Sequence, residues 1–177
     1  MMNYLKTIGY TLVILILYHP VWGQEKENES HGKEKVNISA GLGIPELLFV
    51  GAKYQLEQTQ IGLNIGTILD WSSISITSDV YYHFGGSSKL SSRRPWFVKS
   101  GYTYIREKYS TGTIKWLYLN LRIGRDINIS KSLGIEVDVG GSFQLSHVEA
   151  NMDSSYGWSL EYPGVPSFSI ILFYRIL

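Results

Sequence analysis

The chain has 177 residues, which is the length of a single domain, and its formal net charge is +1 at pH 7. It has no cysteine, so disulfides, thiolate metal sites, a cysteine nucleophile and a lipidated cysteine are all excluded. The near-neutral charge provides no electrostatic attraction for a polyanion, and we expect no nucleic-acid partner.

The first 23 residues have the features of a cleaved secretory signal peptide. Lys6 precedes an apolar run over residues 8–18, and Gly23 is a small residue just before Gln24. A membrane anchor is the alternative, but a helix needs roughly 20 apolar residues to cross a bilayer, and this run is shorter. Residues 24–35 are almost entirely charged or polar, which predicts a disordered leader.

From residue 36 to the C-terminus, apolar and polar residues alternate in one stretch after another. A period of two places successive side chains on opposite faces of a β-strand. No stretch has the periodicity of a long amphipathic helix. We therefore predict an all-β fold with eight strands, at residues 36–44, 47–56, 60–69, 73–84, 96–106, 114–127, 133–147 and 167–177.

The two faces of these strands differ in a way that favours a membrane environment. One face is apolar, whereas the other carries glycine, small polar residues and full charges. Most of the strands have the roughly nine to eleven residues that a tilted strand needs to cross a bilayer. We predict an eight-stranded antiparallel up-and-down transmembrane β-barrel over residues 36–177. Its apolar face would contact lipid, and its interior would be polar and filled.

The charged residues of the inner face balance one another. A hairpin centred on Ser130 would place Arg122 opposite Asp138, and one centred near residues 89–90 would place Lys99 opposite or diagonal to Asp79. Because an unpaired buried charge is costly, we predict an ion-pair network that fills the lumen, with an ion or proton path as the alternative. The predicted network consists of Lys53, Asp79, Lys99, Arg122, Asp126, Glu136, Asp138 and Arg175.

The connections between strands give the predicted barrel an orientation. If both termini are periplasmic, the longest connection, at residues 149–166, is extracellular, as is usual for such barrels. Its aromatic and polar residues could recognise an extracellular ligand or glycan, and packing against the rim is the alternative. In the periplasmic turn, Lys89, Arg93 and Arg94 are expected to be solvated, and contact with lipid head groups or the cell-wall polymer is the alternative. The candidate recognition residues are Asp153, Tyr156, Trp158 and Tyr162.

Few residues are candidates for catalysis. Glu136 and Asp138 share one face, as acid–base chemistry requires, but nearby cations explain both carboxylates without it. We assign His147 and Glu149 to the outer face near the extracellular rim, with Ser146 beside them, which leaves open a lipid-directed hydrolase. Polar residues at the rim without a catalytic role are the alternative. Adjacent residues point to opposite faces, however, and this weakens a Ser146–His147 pair.

The histidines are equally sparse. His83 is predicted to be a partner in the polar core near the periplasmic end. His31, His83 and His147 lie too far apart in the sequence to suggest a metal site, and we expect no metal and no other cofactor.

The leader, the alternation and the charged inner face together resemble the small Gram-negative outer-membrane barrels, a group that includes OmpX and the transmembrane domain of OmpA. Residues 79–86 (DVYYHFGG) and 118–125 (YLNLRIGR) are similar to segments of uncharacterised exported barrels of this type. The resemblance implies a monomer that contacts outer-membrane lipid and the outer-membrane assembly machinery, with no established activity. Such barrels typically end on an aromatic residue, whereas this sequence ends on Leu177, so a soluble barrel stays open.

We therefore expect a non-enzymatic outer-membrane barrel that acts structurally or through its extracellular loops. One alternative is a lipid-modifying enzyme similar to lipid A acyl hydrolases, with His147 as the residue to test. Another is a soluble periplasmic lipocalin-like barrel that binds an apolar ligand. A barrel of that kind needs an apolar interior, whereas here the charged residues form the more confined face.

Overall fold

The computed structural model describes residues 35–67, 72–110, 112–150 and 164–176, and of residues 149 and 150 it describes the backbone alone. Within these ranges the chain forms eight β-strands. They are β1 (Val36–Ile44), β2 (Leu47–Leu56), β3 (Thr59–Thr67), β4 (Ser73–Gly85), β5 (Trp96–Tyr109), β6 (Gly112–Asn128), β7 (Leu133–Ala150) and β8 (Gly164–Ile176).

The strands form one closed barrel in which each strand pairs with its neighbours in the sequence. Every pair is antiparallel, and β1 closes the barrel against β8, with Val36 opposite Ile176. The prediction of an all-β, eight-stranded, up-and-down barrel is therefore confirmed. No helix among the described residues is long and apolar enough to cross a membrane.

The barrel has two distinct ends. We call the end at which β1 begins and β8 ends the lower end; it also holds the turns at residues 57–58, 86–95 and 129–132. The opposite end, which holds the turn at residues 45–46, is the upper end. β5, β6 and β7 have 14, 17 and 18 residues, whereas β1 and β3 have 9 each. One side of the barrel therefore extends further at the upper end.

The upper ends of these strands differ from the sequence prediction. β5 continues to Tyr109 instead of ending at residue 106, β6 begins at Gly112 instead of residue 114, and β7 reaches Ala150 instead of residue 147. Backbone pairing continues up to Tyr109 opposite Gly112, although polar side chains there interrupt the apolar alternation. The alternation of side chains therefore predicts where the apolar face of these strands ends. The backbone hydrogen bonds between the strands continue beyond that point.

Burial is inverted relative to a water-soluble domain. The described residues expose large apolar side chains along every strand, whereas most of the buried positions are polar or charged. The large apolar side chains that are buried are few, and two of them, Ile171 and Phe173, lie on β8. The buried set is Phe49, Tyr81, Phe97, Ile105, Ile114, Tyr118, Ile171 and Phe173.

A β-bulge reverses which side chains point into the barrel in the upper part of β7. Tyr118 pairs with Gln144, but the preceding residue, Leu117, pairs with Ser146, so Leu145 is an extra residue. Above the bulge, His147 lies opposite Trp116, two positions from the buried Tyr118 on the same face of β6. The assignment of His147 to the outer face is therefore wrong, because one inserted residue reverses the alternation.

Candidate functional site

The eight charged residues predicted for the lumen are almost completely buried there, and six of them, all except Asp79 and Arg175, form the ion pairs described below. None of the eight predicted residues is more than 4% exposed. They lie on β2, β4, β5, β6, β7 and β8, and the alternation of each strand directs them inward. The sequence therefore identified the composition of the interior correctly, although several of the individual pairings differ from the predicted ones.

The centre of the network spans the lumen. Lys53 on β2 forms an ion pair with Glu136 on β7, and these two strands are not neighbours in the barrel. The Lys99 ammonium on β5 lies 2.6 Å from Asp138 Oδ2 and 3.9 Å from Glu136 Oε1. Both lysines also face the buried ring of Tyr81, with Nζ atoms 4.4 and 5.4 Å from its centroid. These contacts join β2, β5 and β7 across the lumen.

Of the two predicted hairpin registers, one needs correction and the other is confirmed. Arg122 lies opposite Gly140, and Asp138 lies opposite Gly124, so the hairpin is centred one residue later than Ser130. The predicted contact nevertheless forms diagonally, with Arg122 Nη1 3.2 Å from Asp138 Oδ1. Lys99 is diagonal to Asp79, as predicted, because Tyr81 pairs with Lys99 and Asp79 with Gly101. Its ammonium, however, contacts Asp138 instead.

Asp79 is buried without a cation in ion-pair contact among the described residues. Its Oδ2 accepts a hydrogen bond of 3.4 Å from Asn64 Nδ2. Its Oδ1 rests against the backbone of the facing strand, where a Cβ added to Gly101 would come within 2.2 Å of that oxygen. The glycine at residue 101 therefore makes room for the carboxylate.

Glu46 closes the upper end of the network and was not predicted. It belongs to the turn between β1 and β2, yet it is only 2% exposed. Its Oε1 lies 2.5 Å from Arg122 Nη2, and its backbone carbonyl accepts a hydrogen bond of 2.6 Å from Ser75 Oγ. The next residue, Leu47, has a φ of 71°, a left-handed conformation that costs roughly 1–3 kcal/mol at a residue with a side chain. The turn therefore folds its carboxylate back into the barrel.

Arg93 closes the lower end in the same way. The prediction that Arg93 is solvated or meets lipid head groups or the cell-wall polymer is wrong, because Arg93 is 3% exposed. Its Nη2 lies 2.5 Å from Asp126 Oδ2, and its Nη1 donates a hydrogen bond of 3.0 Å to Gln55 Oε1. The adjacent Arg94 is exposed, and its Nη1 donates to the carbonyl of Phe84. The turn at residues 86–95 thus contributes one arginine to the lumen and one to the surface.

Further polar contacts tie the lower strand ends together. His83 is buried, as predicted, and its Nδ1 donates a hydrogen bond of 2.8 Å to the carbonyl of Arg94. Arg175 near the end of β8 donates to the carbonyl of Lys131 at 3.1 Å and to Asn128 Oδ1. Its guanidinium also lies 4.8 Å from the centre of the Phe173 ring. These contacts connect β8 to the turn between β6 and β7.

A ladder of small polar side chains runs around part of the wall. Thr77 and Thr103 are linked at 2.8 Å, Asn120 Nδ2 donates to Thr103 Oγ1 at 2.7 Å, and Ser142 Oγ donates to Asn120 Oδ1 at 2.6 Å. The four residues belong to four consecutive strands, β4 to β7. The ladder satisfies polar groups that would otherwise be costly to bury.

With Glu46 and Arg93 included, the buried charges still balance. Among the described residues the anions are Glu46, Asp79, Asp126, Glu136 and Asp138, and the cations are Lys53, Arg93, Lys99, Arg122 and Arg175, which makes five of each. Sequence reasoning missed the two turn residues because strand periodicity makes no statement about turns. A lone charged residue within a short turn between two apolar strands is the signal that could have pointed to Glu46.

The remaining sequence candidates do not assemble into a catalytic centre within the described residues. The His147 ring packs against Trp116, with centroids 5.6 Å apart, on the face opposite to Ser146. The described residues contain no group of three or more His, Asp or Glu side chains that could hold a metal ion. The predicted recognition residues Asp153, Tyr156, Trp158 and Tyr162 lie outside the described residues.

The arrangement is that of a lumen plugged by paired charges, with a turn residue closing each end. Comparison with models of known protein families gives no match, and neither does comparison with curated proteins.

Proposed function

We propose that this chain is a non-enzymatic β-barrel of the outer membrane of Gram-negative bacteria, exported by its N-terminal signal peptide. It acts as a structural component of the envelope or through interactions at its upper end. The observation that carries this proposal is the inverted burial, with an apolar outer wall around a charged, internally paired lumen.

The size of the apolar wall supports a lipid environment. More than thirty large apolar side chains of the described residues are between 37% and 64% exposed. Full burial of such a side chain stabilises a fold by about 1.5–3 kcal/mol, so each side chain that stays half exposed to water contributes about 1 kcal/mol less. The total exceeds the roughly 5–15 kcal/mol by which domains are stable. Contact with acyl chains removes this cost.

Aromatic side chains at the lower end support the same environment. Tyr54, Tyr82, Trp96 and Tyr174 lie near the lower strand ends and are 40–50% exposed. Tyrosine and tryptophan favour the interface between acyl chains and water, where an apolar ring and a polar group are both satisfied. A girdle of this kind would mark the lower membrane surface.

The alternatives fit the geometry less well. A lipocalin-like barrel requires an apolar lumen, but ten charged side chains are buried here. A hydrolase on the outer wall requires Ser146 and His147 on one face, but the register places them on opposite faces. A permanently open channel requires a free lumen, but the Lys53–Glu136 pair crosses it and Glu46 and Arg93 close its ends.

Expression of the full chain in a Gram-negative host tests the proposal. We expect the protein in the outer-membrane fraction, with a migration on a denaturing gel that changes on boiling. A soluble protein whose migration does not change would overturn the proposal. Unaltered lipid A in expressing cells and the absence of steady conductance in planar bilayers are expected of a non-enzymatic, plugged barrel.

A pair of arginine variants sharpens this test. Leu121 lies on the outer wall midway along β6, whereas Ile129 lies in a lower turn, and both are about half exposed. Leu121→Arg should reduce insertion strongly, because arginine at the bilayer centre costs about 2–4 kcal/mol in a transmembrane barrel. Ile129→Arg should insert normally. In a soluble barrel the two substitutions would have similar, small effects.

A further inference from the structure

We propose that Arg106, Lys108 and Lys115 form a binding site for the phosphate groups of a lipid in the leaflet at the upper end of the barrel. We refer to these three residues as the cation patch. The inference rests on the proposed membrane location and adds a ligand class to it.

The strand register brings the three cations together on the outer wall. Arg106 on β5 lies directly opposite Lys115 on β6, and Lys108 lies two positions further along β5 on the same face. All three are exposed. Directly opposed residues of an antiparallel pair have Cβ atoms about 5 Å apart, so the charged groups of Arg106 and Lys115 can contact a single anion.

The patch has no ion-pair partner within the part of the chain that the structure describes. Like charges directly opposite one another destabilise a β-sheet, yet no carboxylate of the described residues forms an ion pair with any of the three cations. The nearest acid along the chain, Glu107, lies opposite the buried Ile114 and accepts a hydrogen bond from Tyr109. A bound anion would turn the repulsion between Arg106 and Lys115 into attraction.

The height of the patch indicates where that anion lies. Along the outer face of β6, Lys115 and Arg125 flank a run of four apolar residues, Leu117, Leu119, Leu121 and Ile123. Ten residues of strand span about 34 Å at roughly 3.4 Å per residue. A tilt of about 40° reduces this to about 26 Å, close to the roughly 25 Å height of a membrane-facing band. Lys115 therefore lies at one surface of the apolar layer.

The cations at the two ends of this run contact different kinds of side chain. At the lower end, the Arg125 guanidinium lies 5.4 Å from the centre of the Trp96 ring. At the upper end, the residues directly opposite Arg106 and Lys115 on their other neighbouring strands are the exposed Ile74 and Val148. Tyr104 and Ser146 lie diagonal to Lys115 on the same face, and their hydroxyls can donate to a phosphate oxygen. Arginine and lysine beside hydroxyl donors suit a phosphate monoester better than a neutral head group.

Native mass spectrometry of the full chain in a zwitterionic detergent tests the proposal. The probes are bisphosphorylated lipid A, the same lipid with both phosphates removed, and inorganic phosphate. The test variant is Arg106→Gln/Lys115→Gln. The matched control is Lys89→Gln/Lys131→Gln, which removes two exposed cations at the lower end. We expect the wild type to bind phosphorylated lipid A about tenfold more tightly than the dephosphorylated lipid.

The test variant should lose this selectivity, and the control should keep it. Equal affinity of the wild type for the two lipids, or equal losses in the test and control variants, would overturn the proposal. Displacement of the lipid by an equal concentration of inorganic phosphate would assign the site to the free anion and overturn the lipid assignment. Failure of the chain to fold as a membrane barrel would instead contradict the proposed function, so the two failures are distinguishable.

Discussion

At the scale of single residues, two of the buried ion pairs depend on residues outside the strands. Glu46 and Arg93 come from turns, yet each forms an ion pair with an arginine or a carboxylate of β6, namely Arg122 and Asp126. A charge buried without its partner is far more costly than an exposed one. The turns of this barrel are therefore part of its core.

Arg93 and Arg94 provide a direct comparison of a buried and an exposed arginine. Arg93→Ala should lower the free energy of unfolding by about 3–5 kcal/mol, because it leaves the Asp126 carboxylate buried without its cation. Arg94→Ala removes one exposed hydrogen bond and should cost about 1 kcal/mol or less. Urea unfolding in lipid vesicles, followed by tryptophan fluorescence, measures both. Equal losses would show that Arg93 is not a buried partner.

Gly140 and Gly141 form a second matched pair. A Cβ at Gly140 would lie 2.1 Å from the backbone carbonyl oxygen of Leu121, whereas at Gly141 the nearest atom would be 3.5 Å away, in the Phe143 ring. Because the backbone of β6 cannot yield easily, Gly140→Ala should destabilise the barrel by about 1–3 kcal/mol. Gly141→Ala should be within about 0.5 kcal/mol of wild type. The same urea titration tests this difference, and identical midpoints would contradict it.

At the scale of strands, β7 shows what periodicity can and cannot predict. Up to Gln144 the alternation correctly assigns residues such as Glu136 and Asp138 to the lumen. Above it, Leu145 bulges and the facing of His147 reverses, because one extra residue shifts every later side chain. No local residue pattern marked the bulge. The predicted centre of the β6–β7 hairpin, Ser130, was likewise one residue too early. The register of a hairpin depends on the exact geometry of its turn, which the alternation does not reveal.

Deletion of single residues from β7 tests this account of the bulge. Removing Leu145 should leave an inserted barrel with a boiling-dependent migration, because Gln144 and Ser146 then alternate regularly. Removing Val139, a regularly paired residue of the same strand, should abolish folding, because every residue above it changes face. A folded Val139 deletion together with an unfolded Leu145 deletion would contradict the assigned register.

At the scale of the whole molecule, the order of the strands and the sorting of faces could be predicted because both follow from a period of two. The residues that line the lumen could be predicted as well, because the same period identifies the inward-facing positions of each strand. The pairing partners could not be predicted, because contacts such as Lys53 with Glu136 join strands that are distant in the sequence. Side-chain length and lumen curvature decide which of several nearby partners each charge meets.

The lipid-facing position of the apolar wall can be tested at two exposed positions that differ in height along the barrel. The chain has no cysteine, so Leu121→Cys and Lys131→Cys each provide a single site for a fluorescent label. Leu121 is 49% exposed midway along the outer wall of β6, and Lys131 is exposed in a lower turn. In vesicles whose lipid carries bromine on its acyl chains, a label at residue 121 should be strongly quenched, and one at residue 131 should be quenched little. Equal quenching at the two positions, or none at residue 121, would contradict a lipid-facing wall.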